Sequence, residues 1–168
     1  MELRWVQNEA DVQSAAHLHA MGWKAGFQGI FSQELLAEIS DDLFVDSMRR
    51  SLQTQRSHIA ILSQEGKDLG AGSCSLSRDW DDPALGEVIS FYFLPEAWGR
   101  GYAAGLMGFL LDRLRAMGCE RAHLWVLAEN GRAQRFYERY GFSQTGGEKS
   151  VTLKGETKRN VGYEIRLT

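Results

Sequence analysis

Pro95-Glu96-Ala97-Trp98-Gly99-Arg100-Gly101-Tyr102-Ala103-Ala104-Gly105 decides how this chain is read. Upstream lies Val88 to Leu94, apolar at nearly every position, which fits a strand buried on both faces of a sheet. Ile89, Phe91 and Phe93 are expected on one face, Val88, Ser90, Tyr92 and Leu94 on the other. Downstream, Leu106, Phe109, Leu110, Leu114 and Met117 recur at helical spacing until Gly118, a helix stop. Pro95 ends the strand. Glycine at 99, 101 and 105 permits a tight turn and close approach of a ligand to the backbone. The free N–H groups of the helix start, with its dipole, suit a pyrophosphate. The turn matches neither a Walker A loop, since no Gly-Lys-Ser/Thr follows, nor a GxGxxG fingerprint. A plain strand-to-helix turn packed with small residues is the alternative.

Further out, Ala122 to Val126 forms the next strand, so residues 88–126 make a right-handed βαβ crossover. A helix around Ala133 to Tyr140 is closed by Gly141, and strands follow near Val151–Leu153 and Gly162–Leu167. On the N-terminal side, Leu3–Val6 is a short strand. Asp11 is placed to cap a helix with Val12, Ala15, Ala16, His19 and Trp23 on its apolar face. Gly22, Gly26 and Gly29 are expected to break it into a loop carrying Trp23, Phe27 and Phe31. Two short helices follow, around Ser32–Ile39 and Leu43–Leu52. Ile59–Leu62 and Gly70–Ser77 pair across a turn at Glu65-Gly66-Lys67-Asp68. No repeat or linker interrupts the 168 residues, so a single α/β domain spanning 1–168 is expected.

Nineteen Lys and Arg against 22 Asp and Glu give a net charge of −3, which argues against a nucleic-acid partner. Apolar runs fall far short of a bilayer span, and the polar start is unlike a signal peptide, so no membrane partner and a cytoplasmic location are expected. Cys74 and Cys119 lack metal or disulfide spacing, and His17, His19, His58 and His123 are scattered; no metal is assigned.

The glycine turn resembles motif A of the GNAT superfamily of acetyl-CoA-dependent N-acetyltransferases, Q/R-x-x-G-x-G/A. Gly101 and Ala103 fill its last positions and Trp98 stands where Gln or Arg is usual. Val126-Leu127-Ala128-Glu129-Asn130, Ala133 and Phe136-Tyr137-Glu138-Arg139-Tyr140-Gly141-Phe142 resemble motif B. The resemblance implies a twisted, mostly antiparallel central sheet with two splayed strands, flanked by helices. It implies acetyl-CoA as cosubstrate. The strand around Phe91 and Phe93 would pair with the pantetheine arm. Amides of Arg100, Gly101, Tyr102, Ala103, Ala104 and Gly105 would hold the pyrophosphate, with the Arg100 side chain adding a charge-assisted contact. Asn130 would contact the pantetheine or help open the sheet.

By the same resemblance Tyr137 is the general acid that protonates the departing thiolate, since a phenol keeps its proton at pH 7. Spacing alone also places Tyr137 in a core stripe with Ala133, Phe136 and Tyr140. Glu87, expected to open the central strand, matches a glutamate base of some members; it is equally read as an amine anchor or a solvated strand end. The need for a base depends on the acceptor. An amine of pKa ~10.4 is neutral in about one molecule in 2,500 at pH 7, whereas one near ~8 needs little help. Trp125 occupies a position where some peptide N-terminal acetyltransferases carry a glutamate. Trp23 and Phe27 are candidates for the acceptor wall, and Asp79, Asp81 and Asp82 for drawing in a cation. The expected acceptor is a small cationic amine, with a peptide N-terminus or lysine as the alternative and a non-catalytic acyl-CoA sensor as the rival class. The resemblance also admits a homodimer.

Overall fold

In the computed structural model, which describes residues 1–167, one sheet runs through the molecule with helices on both faces. Along the chain come β1 (Glu2–Trp5), α1 (Glu9–Gly26), α2 (Gln33–Ala37), α3 (Asp42–Thr54), β2 (Ser57–Gln64) and β3 (Lys67–Leu76). After β4 (Leu85–Phe93) and a 3₁₀ turn (Pro95–Ala97) follow α4 (Tyr102–Ala116), β5 (Arg121–Leu127), α5 (Gly131–Tyr140), β6 (Ser143–Leu153) and β7 (Glu156–Arg166). The seven strands lie in the order β1-β2-β3-β4-β5-β7-β6. Among the described strands only β4 and β5 pair in parallel.

One face is covered by α4 and α5, where Leu106, Leu110 and Leu114 pack with Val88, Leu124, Tyr137 and Tyr163. On the other face α1 and α3 press Val12, Ala15, Leu18 and Met48 onto Ile59, Ile61 and Ala71. Phe27, Phe31, Leu35, Leu36 and Ile39 form a further cluster with Leu127, against which Val151 and Leu153 pack. This last cluster carries the α1–α2 segment across the middle of the sheet.

The middle of the sheet is split. β4 and β5 pair only at Leu85↔Arg121, Gly86↔Ala122 and Glu87↔His123. Immediately beyond, the β3–β4 register steps from Cys74↔Val88 to Ser73↔Ser90, which leaves Ile89 as an extra residue. Such a bulge bends the strand and sharpens its twist. β4 and β5 therefore run on to Phe93 and Leu127 without meeting. The bulge also corrects the simple alternation read from the sequence, because Val88 joins the α4-side core rather than the face of Ser90 and Tyr92.

Several boundaries differ from the sequence reading for identifiable reasons. The N-cap of α1 is Asn8, whose side chain accepts the Asp11 N–H at 2.9 Å. Asp11 instead accepts from Arg4 Nε at 3.2 Å. α1 does not break at Gly22 but continues to Gly26, so Trp23 sits in its last turn and Phe27 is its C-cap. Gly22 is needed for close approach: a β-carbon there would lie 2.6 Å from Cβ of Tyr92 on β4. β4 starts at Leu85, making Glu87 its third residue. β6 and β7 are longer than expected because most of β6 is solvent-facing and polar, with no apolar alternation to reveal it.

Gly22→Ala should lower stability by about 1–3 kcal/mol, the usual cost of forcing extra atoms into a packed contact, although alanine is the better helix former. Urea denaturation checks this; an unchanged or raised midpoint would show that α1 is not pinned to β4 there.

Candidate active site

The split between β4 and β5 opens a cavity of about 590 Å³ that reaches both faces of the sheet. Of the residues singled out in the sequence, Trp23, Phe27, Glu87, Phe91, Phe93, Gly101, Tyr102, Ala103, Asn130 and Tyr137 all line it. Arg100, Ala104 and Gly105 are not in its wall. Arg100 and Ala104 are solvent-exposed, and the Cα of Gly105 faces Met1, whose Cε would lie 2.7 Å from an added β-carbon.

On the α4 side, two sets of backbone groups are presented without partners. From Val88 onward the β5-facing edge of β4 has no neighbouring strand, so its N–H and C=O groups are available to an extended ligand. At the start of α4 the N-cap is Gly101 with φ 81°, no side chain caps the helix, and no acidic residue stands in its first turn. Gly99 also has positive φ, at 73°. Orphan N–H groups and the positive end of the helix dipole thus meet at the cavity wall, an arrangement suited to phosphate.

Trp98 acquires a role that its sequence position did not reveal. Its indole Nε1 donates to Phe93 O at 3.2 Å, and the Arg132 guanidinium lies 3.5 Å from its ring centroid. Arg132 and Trp98 both line the cavity. A cation from α5 is thereby brought to the position where Trp98 stands in place of the usual Gln or Arg. Burial lowers the pKa of Arg132, but a guanidinium stays charged at neutral pH. Asn130 caps α5 by accepting the Ala133 N–H at 3.3 Å.

Tyr137 projects from α5 among the rings of Phe91, Phe136, Phe142 and Tyr163. Burial, with Tyr92 nearby, raises its pKa well above that of a free phenol, so it holds its proton. No buried side-chain polar atom among the described residues lacks a partner. Tyr137 makes no side-chain hydrogen bond among them, so its hydroxyl is the part that meets the cavity.

The opposite side is built differently. Glu87 is 1% exposed and bound by Arg78: Oε1 accepts from the backbone N at 3.0 Å and Nε at 3.1 Å, and Oε2 from Nη2 at 2.6 Å. His123 Nε2 lies 3.9 Å from Oε1 and 2.7 Å from Ser77 Oγ. Asp79, Glu87 and His123 have their ligand-type atoms within 4.8 Å of one another. Asp79 is already committed, however, to Trp125 Nε1 at 2.8 Å and Lys149 Nζ at 3.5 Å. Asp82 is likewise paired with Arg121 at 2.6 Å. With Glu87 on Arg78 as well, each of these carboxylates is engaged by a protein cation.

Aromatic walls complete this side. Trp23 stacks on Phe31 at 5.4 Å, meets Phe27 edge-on at 4.5 Å, and donates to Tyr92 Oη at 3.0 Å. Across the cavity the Trp125 ring lies against Gly162, where a β-carbon would come within 3.2 Å of it. Behind the wall, His19 donates from Nδ1 to Ala15 O at 2.7 Å, since a carbonyl can only accept; its Nε2 then accepts from Ser90 Oγ at 2.8 Å. Arg78, Trp125 as a wall, Arg132 and Lys149 were not found from the sequence, for each is an isolated residue outside any motif.

Comparison with known proteins gives a consistent picture. A family model described as acetyltransferase (GNAT) family matches residues 23–142. The uncharacterised N-acetyltransferase YycN of Bacillus subtilis (strain 168) is 31% identical over 108 residues, 64% of this chain and 69% of that protein. The mycothiol acetyltransferase of Beutenbergia cavernae is 44% identical over 74 residues, 44% of this chain but only 25% of that protein. Among solved structures, the PaiA N-acetyltransferase of Thermoplasma acidophilum in complex with coenzyme A shares the fold, with a TM-score of 0.75 at 16% identity over 99% of each chain.

The buried His19 should make stability depend on pH. Burial lowers its pKa from 6.5 to about 4. Below 6.5 the unfolded chain gains a proton there that the folded chain refuses, so stability is full above that pH and declines toward pH 4. The loss from this residue should reach about 3 kcal/mol. Urea titrations at pH 7.5 and 4.5 should give a smaller difference for His19→Gln than for the parent; an equal difference would contradict a buried neutral imidazole.

Proposed function

This chain belongs to the acetyltransferase (GNAT) family and is an acetyl-CoA-dependent acetyltransferase; on that premise we propose that it acetylates the primary amine of a small molecule, cationic in solution, by direct transfer in a ternary complex. Acetyl-CoA supplies the activated acetyl group. The unpaired edge of β4 around Phe91 and Phe93 binds the pantetheine arm, and Asn130 stands beside it. The N-terminus of α4 from Gly101 to Ala103 takes the pyrophosphate, with Arg132 on Trp98 adding a positive charge and Arg100 a further one from solvent. The main chain of β4 next to the Ile89 bulge polarises the acetyl carbonyl.

Tyr137 holds the proton that the departing sulfur needs. The observation that carries this reading is the Tyr137 hydroxyl, free of side-chain partners among the described residues and open to a cavity that also receives the β4 edge and the α4 N-terminus. Glu87 acts here as the electrostatic anchor of the acceptor side. Arg78 occupies both its oxygens, so the amine proton is left to pass to water, which suits an amine of modest pKa that needs little help to lose it. Trp23 and Phe27 wall the acceptor. No helix among the described residues is long and apolar enough to cross a membrane, and action in the cytoplasm, as a monomer or homodimer, belongs to this proposal.

Tyr137→Phe should lower kcat for thiol release from acetyl-CoA by about 100- to 1,000-fold while leaving the Kd for coenzyme A nearly unchanged. Thiol detection and calorimetry measure the two. Undiminished turnover would remove Tyr137 as the acid, and coenzyme A binding without turnover on any amine would make the chain an acyl-CoA-binding module instead.

A further inference from the structure

Resting on that reading, we infer that the acceptor amine also carries a carboxylate, as amino acids and short peptides do, and that Arg78 and Lys149 receive it. The argument begins with which charges the acceptor half of the cavity exposes. Arg132 and Arg139 reach the cavity from α5; the other charged lining residues are Arg78, Glu87 and Lys149, from the loop after β3, β4 and β6, the side that also carries Trp125. Arg78 and Glu87 form an ion pair, but an asymmetric one: the Arg78 side chain is 57% exposed and that of Glu87 1%. The carboxylate lies beneath the sheet surface, its oxygens taken by three hydrogen bonds from Arg78. What faces an incoming molecule is the guanidinium.

Lys149 repeats the pattern. Its ammonium stands 4.7 Å from the Trp125 ring centroid, and its side chain is 39% exposed against 29% for Asp79. Asp79 is not part of the cavity wall, and it is divided between Lys149 and Trp125 Nε1. The acidic loop that could have attracted a polycation is therefore largely spent on protein partners, Asp79 as described and Asp82 on Arg121. A guanidinium and an ammonium at one mouth, with their counter-charges buried or turned away, attract an anionic group and repel a second cation. Arg78 offers the planar donor geometry that suits a carboxylate. The aromatic wall of Trp23, Phe27 and Phe31 fits an apolar substituent on the same molecule.

The test uses matched acceptors. Phenylalanine, leucine and their alanyl dipeptides are each compared with the corresponding carboxamide, with spermidine alongside, by thiol release at saturating acetyl-CoA. Binding of the N-acetylated products and their carboxamides to the coenzyme A-loaded protein is followed in parallel by calorimetry. The acids should exceed their amides by about 10- to 100-fold in kcat/KM or in product affinity, the range expected of hydrogen bonds to a charged group. In Lys149→Gln that ratio should fall severalfold, and 0.5 M salt should compress it in the parent protein. Amides or spermidine preferred over the acids, or equal binding of acid and amide products, would overturn the inference while leaving the acetyltransferase reading intact. Carboxylate-selective binding without thiol release would support the inference and remove catalysis. Should Lys149→Gln not fold, the acid-to-amide ratio of the parent decides alone.

Discussion

Everything functional in this molecule depends on where two parallel strands stop pairing. Three residue pairs hold β4 to β5, and the Ile89 bulge follows directly on the last of them. A bulge one position earlier would shorten an already brief seam, and its absence would let the pairing continue and close the cavity. The same separation gives β4 its unpaired edge and lets Tyr137 on α5 face into the gap. The open strand edge and the placement of the Tyr137 hydroxyl are thus two consequences of one interrupted ladder.

A second constraint is the way charge is handled beside that seam. Glu87 and His123 form the final β4–β5 pair, and both are buried. A buried carboxylate is tolerable only if its oxygens are satisfied, and Arg78 does this from the end of β3 through side chain and backbone together. That solution fixes the loop after β3 against the sheet and turns a guanidinium outward. The electrostatic character of this mouth of the cavity is therefore a by-product of satisfying a carboxylate in the core of the sheet.

The parts legible in the sequence were those with a local pattern. The apolar run of β4, the glycine turn and the amphipathic α4 announce themselves by period and punctuation, and Asn130, Ala133 and Tyr137 by motif register. The bulge did not, since nothing in Val88-Ile89-Ser90 distinguishes an extra residue from simple alternation. Gly22 misled because a glycine inside a helix looks like a stop until the neighbouring Tyr92 side chain is in place. Arg132 on Trp98, and Lys149 on Asp79 and Trp125, are pairings across long sequence separations. They exist only once α5 lies beside the turn and the loop after β3 lies beside β6, so no spacing rule could have joined them.

The α1–α2 segment sits on both sides of the split. Phe27 meets Tyr92 on β4 at 6.1 Å, while Phe27, Phe31, Leu35 and Leu36 pack with Leu127 on β5 and with Val151 and Leu153 on β6. Ser32 N also donates to Glu156 of β7 at 2.9 Å. The two halves of the sheet, joined by a three-pair seam, are therefore spanned on one face by a brace of side chains and left unspanned by strand pairing on the other. Their opening angle is set from the side of the α1–α2 segment. Whatever occupies the cavity beneath that brace acts on the same angle that governs the unpaired edge of β4, so the two sides of the cavity share a mechanical degree of freedom.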